Sequence, residues 1–259
     1  MKSAKKVEKY ETPRILCRIP VFCPVRRPKK EQQYSVETSW GSGTITGRLG
    51  QSHRDLLDII INDRIGKRKN EEGDVKILID SAEIRRKMGW SRANYDQIER
   101  YVTDLMRAIV KIQSKDGRQS AMAGIITKAK TVVFGETPNR KGSKQSEKRQ
   151  SVTEDDLQGG EYWEITLSAE WIALMESGRT VYDSRILQLK NGVSQAVARF
   201  MLSHSHDGRT NMNLITVLES VNADPRLVSR DLCRLKEESG KLKEIGINID
   251  DNSQTVKLN

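Results

Sequence analysis

Residues 81–115 read SAEIRRKMGWSRANYDQIERYVTDLMRAIVKIQSK. Ser81 can cap a short helix that Gly89 ends, and Ser91 can cap a second, longer one. In that second segment Tyr95, Ile98, Val102, Leu105, Ile109 and Ile112 recur at intervals of three and four, an apolar stripe that predicts a single helix over 91–113. Two capped helices joined by Met88-Gly89-Trp90 are the sequence form of a helix-turn-helix.

The flanks extend this pattern. Upstream, residues 34–49 (YSVETSWGSGTITGRL) alternate and predict a strand pair turning at Gly41–Gly43. Leu56, Leu57, Ile60 and Ile61 predict a helix that Gly66 ends, and DVKILI (74–79) a short strand. Downstream, AMAGIITKAKTVVF (121–134) reads as a strand or hairpin and EYWEITL (161–167) as a strand, and the two are able to pair as a long wing. Between them, 136–160 carries five basic and five acidic residues among Gly, Ser and Gln, the composition of a long flexible loop.

A related order returns near the end of the chain. Helical patterning is predicted at 168–176 and at 183–205, where Ile186, Leu189, Val193, Val197, Phe200 and Met201 form a stripe. Residues 211–221 give a short helix, and Asp224-Pro225 is a strong start signal for the next, whose Val228, Leu232 and Leu235 face inward. IGINIDDNSQTVKL (245–258) closes the chain as two strands around a polar turn. The predicted fold class is therefore α+β, two tandem winged-helix domains. Residues 1–33 form a basic flexible arm, 34–167 the first domain with its wing loop at 136–160, and 168–259 a linking helix with the second domain. A chain of 259 residues accommodates two such domains.

The formal net charge is +10, which favours a polyanionic partner. Residues 1–30 hold ten basic and two acidic residues, so the remainder is nearly neutral and must sort its cations onto one face to bind DNA. In a helix-turn-helix the second helix enters the major groove, where Arg reads guanine and Asn or Gln reads adenine. The candidate contacts on the first such helix are Arg92, Asn94, Gln97 and Arg100, with Arg107 and Lys111 further along the same face. On the second they are Arg226, Ser229, Arg230 and Arg234, followed by Lys236. Charge is denser on the second helix, which makes it the better candidate for base readout. Lys128, Lys130 and Lys257 in the wings would hold phosphates.

Other chemistry finds little support. Cys17, Cys23 and Cys233 are an odd number without a secretory leader, which points to a reducing cytosol. No apolar run reaches the length of a membrane span. His204-Ser205-His206 lacks the apolar middle residue of the metal-holding motif of rolling-circle nucleases, and reads as a solvated helix end. GSGTITG (41–47) lacks the Lys-Ser or Lys-Thr of a phosphate-binding loop. No nucleophile and base are paired, so neither enzyme activity, a metal nor a cofactor is expected.

Residues 49–113 and 161–249 resemble the TrfA family of plasmid replication initiators. The resemblance is carried by LGQSHRDLLDIII, by MGWS followed by NYDQIERYVTDLMRA, by WEITLSAEWIALMESG and VSQAVARFMLSHSH, and by RLVSRDLCRLKEE. It implies two winged-helix domains that bind repeated origin sites (iterons) without nuclease or ATPase activity. It also implies recruitment of the host initiator and replicative helicase, and monomer–dimer self-association. By matching position, Arg226, Ser229, Arg230 and Arg234 lie on one DNA-reading helix and Arg92, Asn94 and Arg100 on the other. The basic leader at 1–33 and the long loop at 136–160 depart from the family. A transcriptional repressor built from the same modules, and an adaptor that does not touch DNA, are the competing readings.

Overall fold

The computed structural model describes residues 8–91, 95–118, 120–134, 160–176, 178–205, 207–208, 210–250 and 254–258. The chain opens with β1 (Lys9–Pro13) and the single turn α1 (Ile15–Arg18), followed by a hairpin of β2 (Gln32–Thr38) and β3 (Gly41–Gly47). Next come α2 (Gln51–Asn62), β4 (Gly66–Lys69), β5 (Val75–Asp80), α3 (Ser81–Met88) and α4 (Tyr95–Arg107). Four strands follow: β6 (Ile109–Ser114), β7 (Ser120–Ala123), β8 (Ile126–Phe134) and β9 (Gly160–Leu167). Then come α5 (Ala169–Glu176), β10 (Arg179–Asp183), a 3-10 turn at Ser184–Gln188, and α6 (Gly192–Leu202). The last part holds β11 (Asn211–Asn213), α7 (Leu214–Ser220), a 3-10 turn at Pro225–Leu227, α8 (Val228–Glu237), α9 (Ser239–Glu244), β12 (Ile247–Asp250) and β13 (Thr255–Leu258).

Two winged-helix units emerge from the strand pairing. In the first, α2, β5, α3, α4, β8 and β9 come in that order, with β4, β6 and β7 interposed, and β5 pairs with β9, which pairs with β8. In the second, α6, β11, α7, α8, β12 and β13 follow in the same order, and β11 pairs with β13, which pairs with β12. All these pairs are antiparallel, so the two sheets share one topology. The pleat explains the sidedness: Val75, Ile77 and Ile79 alternate inward while Lys76 points to solvent. β4 extends the first sheet, and β2, β3, β6 and β7 form a further four-stranded sheet outside the winged-helix pattern.

Several expectations need correction. The helix predicted over 91–113 ends at Arg107, and 109–114 is a strand in which Val110 and Ile112 are buried and Ile109 is exposed. Ile112 satisfies both a helical and a two-residue period, and the cross-strand partners of β3 and β7 decide between them. The helix predicted over 183–205 is a 3-10 turn followed by α6. The first hairpin turns at Ser39–Trp40, before Gly41. Asp80, not Ser81, caps α3, its carboxylate accepting from the Ala82 amide at 2.7 Å. α2 ends at Asn62, and Gly66 opens β4. The loop at 136–160 lies outside the described residues except for Gly160.

The largest correction concerns residues 1–33. Residues 8–33 are a strap built into the body, not a flexible arm. β1 pairs with β10, and Ile19, Val21 and Phe22 are buried. The Val25 and Arg26 carbonyls accept from the Gln51 and Ser52 amides at 2.8 and 3.0 Å, satisfying the first turn of α2. The same two residues press on the start of α6, where a Cβ on Gly192 would lie 2.5 Å from the Val25 carbonyl carbon. Two cations of this segment are matched by distant acids. Arg18 pairs with Asp207 and lies 3.8 Å over the Trp40 ring, and Arg26 reaches Asp55 at 3.4 Å.

Where the strap crosses, the first helices of the two units meet through buried charge. Arg199 of α6 places Nη2 2.6 Å from Asp55 and 3.1 Å from Asp58 of α2. Its Nη1 donates to the Gln51 Oε1 at 2.8 Å, and the Gln195 amide donates to Asp55 at 3.0 Å. Asp58 also accepts from Thr12 at 2.8 Å and Tyr182 at 2.5 Å, and pairs with Arg54 at 3.2 Å. Removing Arg199 leaves Asp55 with Arg26 alone at 3.4 Å and Asp58 with Arg54 alone at 3.2 Å, so two buried carboxylates lose the cation they share. Arg199→Ala is therefore expected to lower unfolding free energy by about 3–5 kcal/mol, read as a fall in urea midpoint at unchanged slope. A loss below about 1 kcal/mol would mean that the cluster does not hold the units together.

Candidate nucleic-acid interface

The two helix-turn-helix elements are pinned by different means. In the first, α3 ends at Gly89, whose left-handed φ of 67° turns the chain toward α4. Trp90 in that turn stacks on Tyr101 of α4 at 5.3 Å, and His53 of α2 meets the same ring edge-on at 4.6 Å. The His53 Nε2 lies 3.0 Å from the Asp104 carboxylate, which Arg48 also binds at 2.8 Å. Burial alone would raise the Asp104 pKa, but the hydrogen bonds from His53 and Arg48 outweigh it and hold the carboxyl below its ordinary value.

The solvent side of α4 is mixed in charge. Arg100 and Arg107 are exposed there beside Asp96 and Glu99, and Gln97 is half-buried. Arg92 and Asn94 lie outside the described residues. Lys111 sits on β6, away from the helix on which it was predicted. Arg27 of the strap carries its guanidinium 5.8 Å from the Tyr101 ring, which adds to this surface a cation that the sequence reading did not select.

In the second element the Asn213 side chain caps α7, accepting from Ile215 and Thr216 at 2.9 and 3.3 Å. Asn222 takes the left-handed turn with φ of 57°. Asp224 then caps the 3-10 turn that leads into α8. At the far end Glu238 is buried, and its carboxylate accepts from the Lys190 and Asn191 amides at 2.6 and 3.0 Å. That contact ties the end of α8 to the start of α6.

Arg226, Ser229, Arg230 and Lys236 are exposed on the outer face of α8 and its lead-in turn, with Arg234 half-buried. Their guanidinium groups are engaged within the chain. Arg226 forks onto Asp224 with contacts of 3.0 and 2.8 Å, and this hydrogen bonding lowers the Asp224 carboxyl to about 2. Arg230 places Nε and Nη2 each 3.1 Å from the Oδ1 of Asp231, and Arg234 brings Nη1 to 3.4 Å from the same oxygen. Two guanidinium groups therefore converge on one buried carboxylate.

The wing residues divide. Lys128 and Lys130 are exposed on β8, with Lys130 3.4 Å from Glu164. Strand register places Arg68, Lys76, Thr166 and Lys128 directly opposite one another across four strands, on the face turned away from α3 and α4. Arg68 and Lys76 were not predicted as candidates, since a row across strands is invisible until the register is known. Lys257 is half-buried on the central strand β13, opposite Asn211 and Asn248, not on an exposed wing tip. His204 is buried, with Nδ1 2.8 Å from the Phe200 carbonyl oxygen, instead of being solvated; His206 lies outside the described residues. Among the described residues no group of three His, Cys, Asp or Glu could hold a metal ion, and no helix is long and apolar enough to cross a membrane.

These features define a tandem winged-helix protein. The chain is similar to domain 2 and domain 3 of RctB, with a TM-score of 0.56 and 14% identity over 95% of this chain and 98% of that one. A second structure of RctB domains 2–3 aligns with a TM-score of 0.47 and 14% identity, covering 95% and 96%. No family model matches the chain, and no curated protein matches it. The likeness bears out the fold and does not single out the TrfA family.

The contact that orients α8 can be tested directly. Glu238→Ala leaves two amides at the start of α6 without their charged acceptor, and is expected to cost about 2–3 kcal/mol in urea unfolding. Glu238→Gln keeps one acceptor and is expected to cost clearly less. Equal losses in the two variants would show that the carboxylate is not the acceptor that matters.

Proposed function

We propose that this chain is a replication initiator that binds duplex DNA at repeated origin sites through its two winged-helix units. The observation that carries the reading is the outer face of α8. It occupies the position of a recognition helix, and it presents Ser229, Arg230 and Arg234 together. The sequence resemblance to plasmid initiators supports the same reading. The fold shared with domains 2 and 3 of RctB supports the tandem winged-helix architecture that the reading requires. In this account α8 supplies most of the base readout, and α4, whose acids dilute its charge, supplies the rest. Lys128 and Lys130 contact phosphates. The role is binding, not catalysis. Recruitment of the host initiator and replicative helicase, self-association as dimers, and residence in the cytoplasm belong to the same proposal.

Filter binding over a range of salt concentrations tests it. Tight binding to duplex DNA with a steep salt dependence is expected. Arg230→Ala should weaken binding to the preferred duplex by about 1–3 kcal/mol and relax its preference at one base position. If the loss is equal on every sequence, Arg230 is only a phosphate contact. Undetectable binding to duplex DNA at low salt would sink the proposal.

A further inference from the structure

Asp231 lies within the first turn of α8, next to the residues assigned to DNA readout, yet its side chain is only 5% exposed. An acid in the first turn of a helix ordinarily gains from the helix dipole while remaining in water. A buried acid must instead be compensated by specific partners. Here the partners are Arg230, through Nε and Nη2 at 3.1 Å, and Arg234, through Nη1 at 3.4 Å, all on the Oδ1. The Nη1 of Arg230 and the Nε and Nη2 of Arg234 are left free of this carboxylate. A guanidinium held by one edge has lost rotamer freedom before any ligand arrives, and it keeps donors for the O6 and N7 of a guanine.

We propose that Asp231 is a positioning residue for sequence readout: it holds Arg230 and Arg234 side by side on α8, and its charge restrains their attraction to phosphate. The proposal rests on the reading of α8 as a recognition helix. Its two effects have opposite signs. Ordering the guanidinium groups favours the preferred site, whereas cancelling a positive charge disfavours DNA of any sequence.

The test uses the full chain with Asp231→Asn, which keeps the shape and removes the charge. The probes are a duplex selected from random sequence by the wild-type protein and an unrelated duplex of equal length. The variant is expected to bind the selected duplex about tenfold more weakly. It should bind the unrelated one a few fold more tightly, with a salt slope steeper by about one ion. A second measurement separates positioning from folding. If Asp231 acts through Arg230, the losses from Asp231→Asn and Arg230→Ala on the selected duplex fall well short of adding. Additive losses, or equal weakening on both duplexes, would overturn the proposal. If the wild-type protein shows no preference between the duplexes, the reading of α8 fails, and the role of Asp231 with it.

Discussion

Arg199, buried between Asp55 and Asp58, is the interaction on which the rest of the structure depends. It joins α6 to α2, and each of those helices packs against the second helix of its own helix-turn-helix, α8 and α4. Buried ion clusters are costly in desolvation, and they hold only when the surrounding lone pairs and protons are also satisfied. Gln51, Gln195, Thr12 and Tyr182 supply most of these partners, drawn from the strap, α2, the β10 strand and α6, while the Arg54 Nη1, the Gln195 Oε1 and the Arg199 Nε find none. The strap closes the arrangement. It caps α2 with two carbonyls and passes so close to Gly192 that only a residue without a side chain fits. Two modules that could have been independent beads on a linker are instead parts of one packed core.

That coupling gives the two proposed recognition helices a fixed relationship, and they are not equivalent. α4 is pinned by an aromatic stack, and its exposed arginines are interleaved with Asp96 and Glu99. α8 concentrates its cations, and Asp231 among them is buried against two of the arginines, while the exposed acid Glu237 lies at the far end. A face of the second kind suits discrimination between bases. A face of the first kind suits weaker contact that sets register.

Much of the architecture was legible in the sequence where local signals agreed. Asp224-Pro225 marked the lead-in to α8, Gly89 the end of α3, and the two closing strand signals the pairing of β12 with β13. Readings failed where one residue satisfied two patterns or where its partner was distant. Ile112 fits a helical stripe as well as a strand, and only pairing with β3 and β7 resolves it. Arg18 and Arg26 looked like tail charges because Asp207 and Asp55 are remote in sequence. The candidate site was legible as a set of residues but not as an arrangement. The fork of Arg226 onto Asp224, the shared carboxylate of Asp231 and the row from Arg68 to Lys128 all depend on geometry that composition and spacing do not contain.

The most direct measurement is a hydroxyl-radical footprint of the full chain on duplexes selected from random sequence. A coupled pair of recognition helices predicts two protected segments at one invariant separation in every selected duplex. A single protected segment, or two whose separation varies between duplexes, would contradict the account.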